Sequence, residues 1–162
     1  MRCGLLMVER GLVAGTQGNV SARSTSGFVV TPSGVPYDSV TDEDLIEMAL
    51  HGEVLDGRLE PSSEWRVHAA IYRARPDVNA IVHTHSSAAT AWTERNRPLD
   101  HALVAAFAPT GTDDLAGNAV EALKDHDAVL LAHHGVVGVG TTLGEAFAVC
   151  ERLEERASRA TP

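Results

Sequence analysis

The chain has 162 residues, 44% of them apolar and 22% charged, which suits one domain able to bury a core of its own. Its 13 basic against 22 acidic side chains leave a formal charge of −9, a surface that repels nucleic acid and anionic lipid. An anionic small substrate would therefore need a local positive site, such as a metal ion or a helix N-terminus. The two cysteines, Cys3 and Cys150, have no neighbour at metal-ligand spacing and give no disulfide framework, so a reducing cytoplasm is expected. No apolar run reaches the length of a membrane span, and no long apolar leader with a small-residue cleavage site opens the chain.

In chain order, residues 5–14 read as the end of a helix stopped by Gly15. GNVSAR and FVVTPS read as two short strands joined by the polar turn STSG, and Thr41 with Asp44 as a capping signal before a short helical turn. LIEMAL and EVLD flank His51-Gly52 as a hairpin. Ser62 or Ser63 is expected to cap a helix over SSEWRVHAAIYRA, which closes before Pro76. AIVHTH reads as a buried strand with polar groups at its C-terminal end, SSAATAWTER as a helix, LVAAF as a strand and DDLAGNAVEALKD as a helix. AVLLAHHGVVGVG suggests a strand, a turn at the histidines and a returning strand. The last segment, TLGEAFAVCERLEERASRA, is an amphipathic helix with Leu143, Phe147, Cys150 and Leu153 near helical spacing. Strands alternate with helices, yet hairpins recur, which predicts an α/β fold with a mixed sheet between helices.

His83 and His85 stand one residue apart, so on a strand both rings leave the same face and can grip one cation. A catalytic zinc needs a third protein ligand and an open position, and His133 and His134, before Gly135 at the end of another strand, are the candidates. A solvated strand end would account for HTH alone; the second histidine pair argues for a metal. Glu64 follows the serine cap, where a carboxylate favours the helix dipole; beside a metal it would act as general base and acid. The segments Gly15–Asn19, Thr31–Gly34 and Ser62-Ser63 offer small residues and backbone N–H groups that suit a phosphate, though such residues are also plain turn formers. His51, His101 and His126 read as turn, loop and surface residues, and His68, four residues after Glu64, as structural although it could face the site.

GTQGNVSAR, TPSGVPY, PSSEWRVHAAIYRARPDVNAIVHTH and LLAHHG follow one another in the order of the class II aldolase/adducin family, which the chain resembles from Gly11 to Glu155, its fuculose-phosphate aldolase branch most. The resemblance implies a three-layer αβα sandwich with a mixed, mostly antiparallel central sheet, one domain over 1–162 shortened at both ends. It implies zinc, or else manganese or cobalt, on His83, His85 and His134, with Glu64 as catalytic acid/base. Gly18, Asn19, Ser33, Gly34, Ser62 and Ser63 match the family's phosphate-binding positions. The implied activity is cleavage of a phosphorylated ketose such as L-fuculose 1-phosphate through a metal-bound enediolate, in a cytoplasmic homotetramer. The implied partners are a small sugar phosphate and copies of the chain, not nucleic acid or membrane. A desolvated site that raises the pKa of Glu64 would help it hold a proton for half of the cycle.

Between Leu99 and Thr112 the chain is shorter than the family's aldolases and lacks the segment that carries a tyrosine proton donor there; it also ends before the family's C-terminal tail, which carries another. Its only tyrosines are Tyr37 and Tyr72. The aldehyde specificity is therefore not implied. A 4-epimerase, dehydratase or decarboxylase reaction on a sugar phosphate stays open, although the epimerases resemble PSSD where this chain has Glu64. An adducin-like assembly module is the non-catalytic alternative, but such members have lost the metal ligands.

Overall fold

The alternating signals resolve into eight strands and five α-helices, described over residues 2–160 by a computed structural model. The strands are β1 (Asn19–Arg23), β2 (Phe28–Val30), β3 (Ile46–Met48), β4 (Val54–Asp56), β5 (Ala80–Thr84), β6 (Leu103–Ala105), β7 (Ala128–Leu131) and β8 (Gly135–Gly140). The helices are α1 (Arg2–Glu9), α2 (Trp65–Ala74), α3 (Ser87–Thr93), α4 (Asp113–Leu123) and α5 (Leu143–Ala160). All strands join one sheet in the order β4-β3-β2-β1-β5-β8-β7-β6, and the pairings are antiparallel except for β6 with β7.

Two apolar clusters make this a three-layer αβα sandwich. On one face Ile81, Val129, Leu131, Val137 and Val139 meet Val67, Ile71 and Tyr72 of α2 and Leu115 and Leu123 of α4. On the other, Ala80, Val82, Leu130 and Val136 meet Met7 of α1, Ala89 and Trp92 of α3, and Val149, Cys150 and Leu153 of α5. Successive side chains of β5 thus enter opposite cores, which is why AIVHT is apolar without alternation and buried throughout. Among the described residues no helix is long and apolar enough to cross a membrane.

Two local expectations need correcting and a third is refined. The first helix ends at Glu9, not at Gly15: Gly11 turns left-handed at φ +67°, and Leu12 N–H closes back on Met7 C=O at 2.9 Å. Neither Ser62 nor Ser63 occupies the cap position of α2, which falls to Glu64, while Trp65 N–H bonds Ser62 C=O at 3.0 Å in the turn before it. Along α5 the buried stripe is Ala146, Val149, Cys150, Leu153 and Ala157, with Leu143 and Phe147 half-exposed. The helix lies so close to β8 that a Cβ on Gly138 would stand 2.6 Å from Ala146 O and 2.8 Å from Cys150 Sγ. Small side chains therefore fill that interface, and the Cys150 thiol is fully buried, donating weakly to Val82 C=O at 3.4 Å.

Candidate active site

β5 and the β7–β8 turn bring three histidines to one point. His83, near the end of β5, pairs with Val137 of β8 and Asn19 of β1, so its ring stands on the α2 face of the sheet. His85 lies just past the strand and returns to the same side, with ring centroids 4.7 Å apart. His134 arrives from the turn after β7, where its N–H bonds Leu131 C=O at 3.0 Å. The tightness of that turn forces His133 into the left-handed region at φ +57°, and its N–H is held by Thr93 Oγ1 at 2.9 Å. The His134 ring centroid is 5.0 Å from that of His83 and 4.8 Å from that of His85. Glu64, at the cap of α2, points its carboxylate between them: Oε2 lies 3.1 Å from His83 Nε2 and 3.9 Å from His85 Nε2, and Oε1 lies 3.0 Å from His134 Nε2.

These four groups fit a divalent cation. One donor atom from each lies within 4.8 Å of all the others. His83 Nδ1 faces Val136 C=O at 2.8 Å and must donate to it, which leaves the lone pair on Nε2, aimed inward. His83 Nε2 and His85 Nε2 approach to 2.8 Å, a separation that needs a proton or a cation between two basic nitrogens. Glu64 Oε1 is buried, and its approach to His134 lacks hydrogen-bond geometry, so it has an open valence. Three imidazoles and a carboxylate are donors that zinc, manganese and cobalt accept.

The electrostatics reverse one expectation. Burial works to raise the pKa of Glu64, but the three imidazoles gathered around it, His83 foremost, outweigh it and hold the carboxyl well below its usual range. Burial likewise opposes charge on His83, yet the carboxylate and the Val136 carbonyl carry its pKa above the ordinary imidazole value. His85, desolvated and beside two other imidazoles, is shifted down.

The cluster floors a hollow of about 270 Å³, and the structure brings every predicted site residue to it. Gly18 and Asn19, Ser33 and Gly34, and Ser62 and Ser63 line its rim. Gly18 is required: at φ +72° a Cβ would meet His83 C=O at 2.6 Å. The supposed phosphate donors are fewer than the sequence suggests. Ser33 N–H is bonded to Glu60 C=O at 2.9 Å and Ser62 N–H to Thr31 C=O at 3.1 Å, bonds that clamp the two loops side by side. Asn19 Nδ2 donates to Glu64 Oε2 at 2.9 Å. Thr110 also lines the hollow, a contribution that no local signal announces because it depends on the fold of the 106–112 loop. Neither tyrosine does: Tyr37 packs on Gly4 of α1, and Tyr72 against Phe28 with ring centroids 5.5 Å apart.

Residues 1–161 match the family described as the class II aldolase and adducin N-terminal domain. L-fuculose phosphate aldolase of Escherichia coli (strain K12) is 38% identical over 162 residues, covering 93% of this chain and 75% of its own length. The 5-methylthioribulose-1-phosphate/5-deoxyribulose-1-phosphate aldolase of Rhodospirillum rubrum is 37% identical, covering 98% and 79%. A solved L-fuculose 1-phosphate aldolase superposes with a TM-score of 0.92 at 34% identity, covering 98% of this chain and 81% of that one.

Proposed function

Because the chain belongs to the class II aldolase and adducin family, we propose that it is a metal-dependent aldolase that cleaves a phosphorylated ketose of the L-fuculose 1-phosphate type, with zinc on His83, His85 and His134. The observation that carries this reading is the meeting of those three imidazoles with the buried Glu64 at the floor of a hollow rimmed by small polar loops. The names of the E. coli and R. rubrum relatives support a sugar-phosphate substrate.

The bound ion supplies a Lewis acid for the carbonyl end of the substrate. Gly18, Asn19, Ser33, Gly34, Ser62 and Ser63 are the proposed phosphate rim; at Ser33 and Ser62, whose N–H groups are engaged, the hydroxyl is the group on offer. Glu64 stands where it can move one proton on the carbon beside the carbonyl. Glu64, ionised at rest, would accept the hydroxyl proton of the substrate carbinol as the carbon–carbon bond breaks and the carbinol becomes the aldehyde, and would then deliver that proton to the carbon that keeps the bonding pair. The short segment between Leu99 and Thr112 favours, as a second reading, a family reaction without an aldehyde product, such as decarboxylation. Two free thiols are in keeping with a cytoplasmic protein. A homotetramer is proposed from the family likeness, and Phe107, 66% exposed with its ring centroid 6.0 Å from that of His133, offers an apolar contact to a neighbouring subunit.

The test is release of dihydroxyacetone phosphate from a panel of ketose 1-phosphates, read by a coupled reductase, before and after chelation. Release that stops on chelation and returns with zinc is the expected result. Carbon dioxide release from a phosphorylated acid would select the second reading, and no product from any metal-loaded sample would end both.

A further inference from the structure

Behind Glu64 lies a file of four buried polar side chains, Asn19 at the rim of the hollow and then His68, Ser21 and Tyr72, the last three without a part in the reaction proposed above. Asn19 and Ser21 stand two residues apart on one face of β1, and His68 and Tyr72 four apart on one face of α2, in line with Glu64. Asn19 Nδ2 lies 2.9 Å from Glu64 Oε2, and Asn19 Oδ1 lies 2.5 Å from His68 Nε2. His68 Nδ1 lies 2.6 Å from Ser21 Oγ, which is 2.8 Å from the Tyr72 hydroxyl.

The donors in this file can be assigned one by one. A carboxylate only accepts, so Asn19 presents its N–H to Glu64 and its carbonyl oxygen to His68. That oxygen also only accepts, so His68 carries its proton on Nε2. Nδ1 is then an acceptor and takes the Ser21 hydroxyl proton, which leaves Ser21 to accept from Tyr72. Every donor points toward Glu64. Burial holds the His68 ring neutral, lowering its pKa to about 3, with the nearby His83 acting in the same direction. A histidine that merely filled core volume would have no need of one tautomer.

We propose that His68 is a positioning residue: through Asn19 it fixes the carboxyl of Glu64, anchoring Oε2 and leaving Oε1 as the oxygen that meets the substrate. This rests on the reading of Glu64 as the proton-transferring group. Glutamine at position 68 reaches where Nε2 lies and can restore the donor to Asn19; asparagine reaches only where Nδ1 lies. His68→Asn should therefore lower kcat roughly 10- to 100-fold, the range for removing a partner that orients a working side chain. KM and bound metal should stay close to those of the parent, and His68→Gln should recover most of the loss. Equal kcat in the two variants, whether low or unchanged, would overturn the proposal.

Two measurements on the full chain need no turnover. In glutamate-labelled protein the Glu64 carboxyl carbon resonance should move in His68→Asn and not in His68→Gln; a shift in both or in neither overturns the proposal. In the parent, long-range proton–nitrogen correlation should show His68 protonated on Nε2, and the opposite tautomer would likewise overturn it even if neither variant folds. Should the parent cleave no ketose phosphate, the proposed function falls while these spectra still decide the role of His68.

Discussion

β7 has histidines at both of its ends, and the two groups share residue types but not behaviour. After the strand, His134 joins His83, His85 and Glu64, all largely buried, with the carboxylate 7% and His83 2% exposed. Before it, Asp127 meets His101 Nε2 at 2.5 Å and Arg152 Nη2 at 2.8 Å, with the His126 ring tilted against that of His101 at a centroid distance of 5.9 Å. There the imidazole is 44% and the carboxylate 41% exposed, and each oxygen of Asp127 has its own partner. Burial raises the pKa of Asp127 somewhat, but its hydrogen bonds to His101 and Arg152 prevail and lower it. The first group has more inward-facing basic nitrogens than its one carboxylate can satisfy and retains an open valence; the second is saturated and solvated. Convergence and depth, not histidine content, separate a metal centre from a surface ion pair.

The sharpest way to break this contrast is Glu64→Gln. Removing the proton carrier should cut kcat by about 10²- to 10⁴-fold, while elemental analysis still finds metal on the three histidines. A variant that kept full turnover would reduce the buried group to a structural feature. A medium effect is expected in acid. His68 has a pKa near 6.5 in the unfolded chain and about 3 in the fold, so below pH 6.5 the unfolded state binds the additional proton. The stability it confers is complete above pH 6.5 and should decline by up to about 1.4 kcal/mol per pH unit toward pH 3. Denaturant titrations at a series of pH values should show a shallower decline for His68→Gln; identical slopes would contradict the buried neutral ring. The smallest effect belongs to the exposed group. Asp127→Asn should cost no more than about 1 kcal/mol, shrinking further in high salt, with turnover and metal content unchanged. A loss of metal there would erase the distinction between the two ends of β7.

The histidine spacing made the buried cluster readable because HTH at a strand end and HHG after a second strand report alternation, a property local to each segment. The hairpin around His51-Gly52 and the stop of α2 before Pro76 were readable for the same reason. The polar file was only half visible. Glu64 and His68 advertise a shared helical face at four-residue spacing, but their link through Asn19, and that of His68 to Tyr72 through Ser21, depend on where β1 is paired in the sheet, a contact that no local pattern encodes. The cap of α2 was misread because Ser62 and Ser63 carry the local capping signal, while the position that decides is held by Glu64, whose carboxylate is turned to the histidines. On α5 the helical spacing picked out Cys150 and Leu153, which are buried, whereas the burial of Ala146 and Ala157 beside them was not legible, because it follows from Gly138 on the preceding strand admitting the helix along its small residues.

That close seat of α5 on β8 equips the protein with a clock. Cys150 lies sealed beneath the helix with its thiol pKa pushed up to about 12, so it has almost no thiolate at neutral pH and no path to a reagent. An alkylating probe can reach it only when α5 lifts away, and the rate of its capture counts those departures. Opening of the central layers can thus be timed with no substrate in hand.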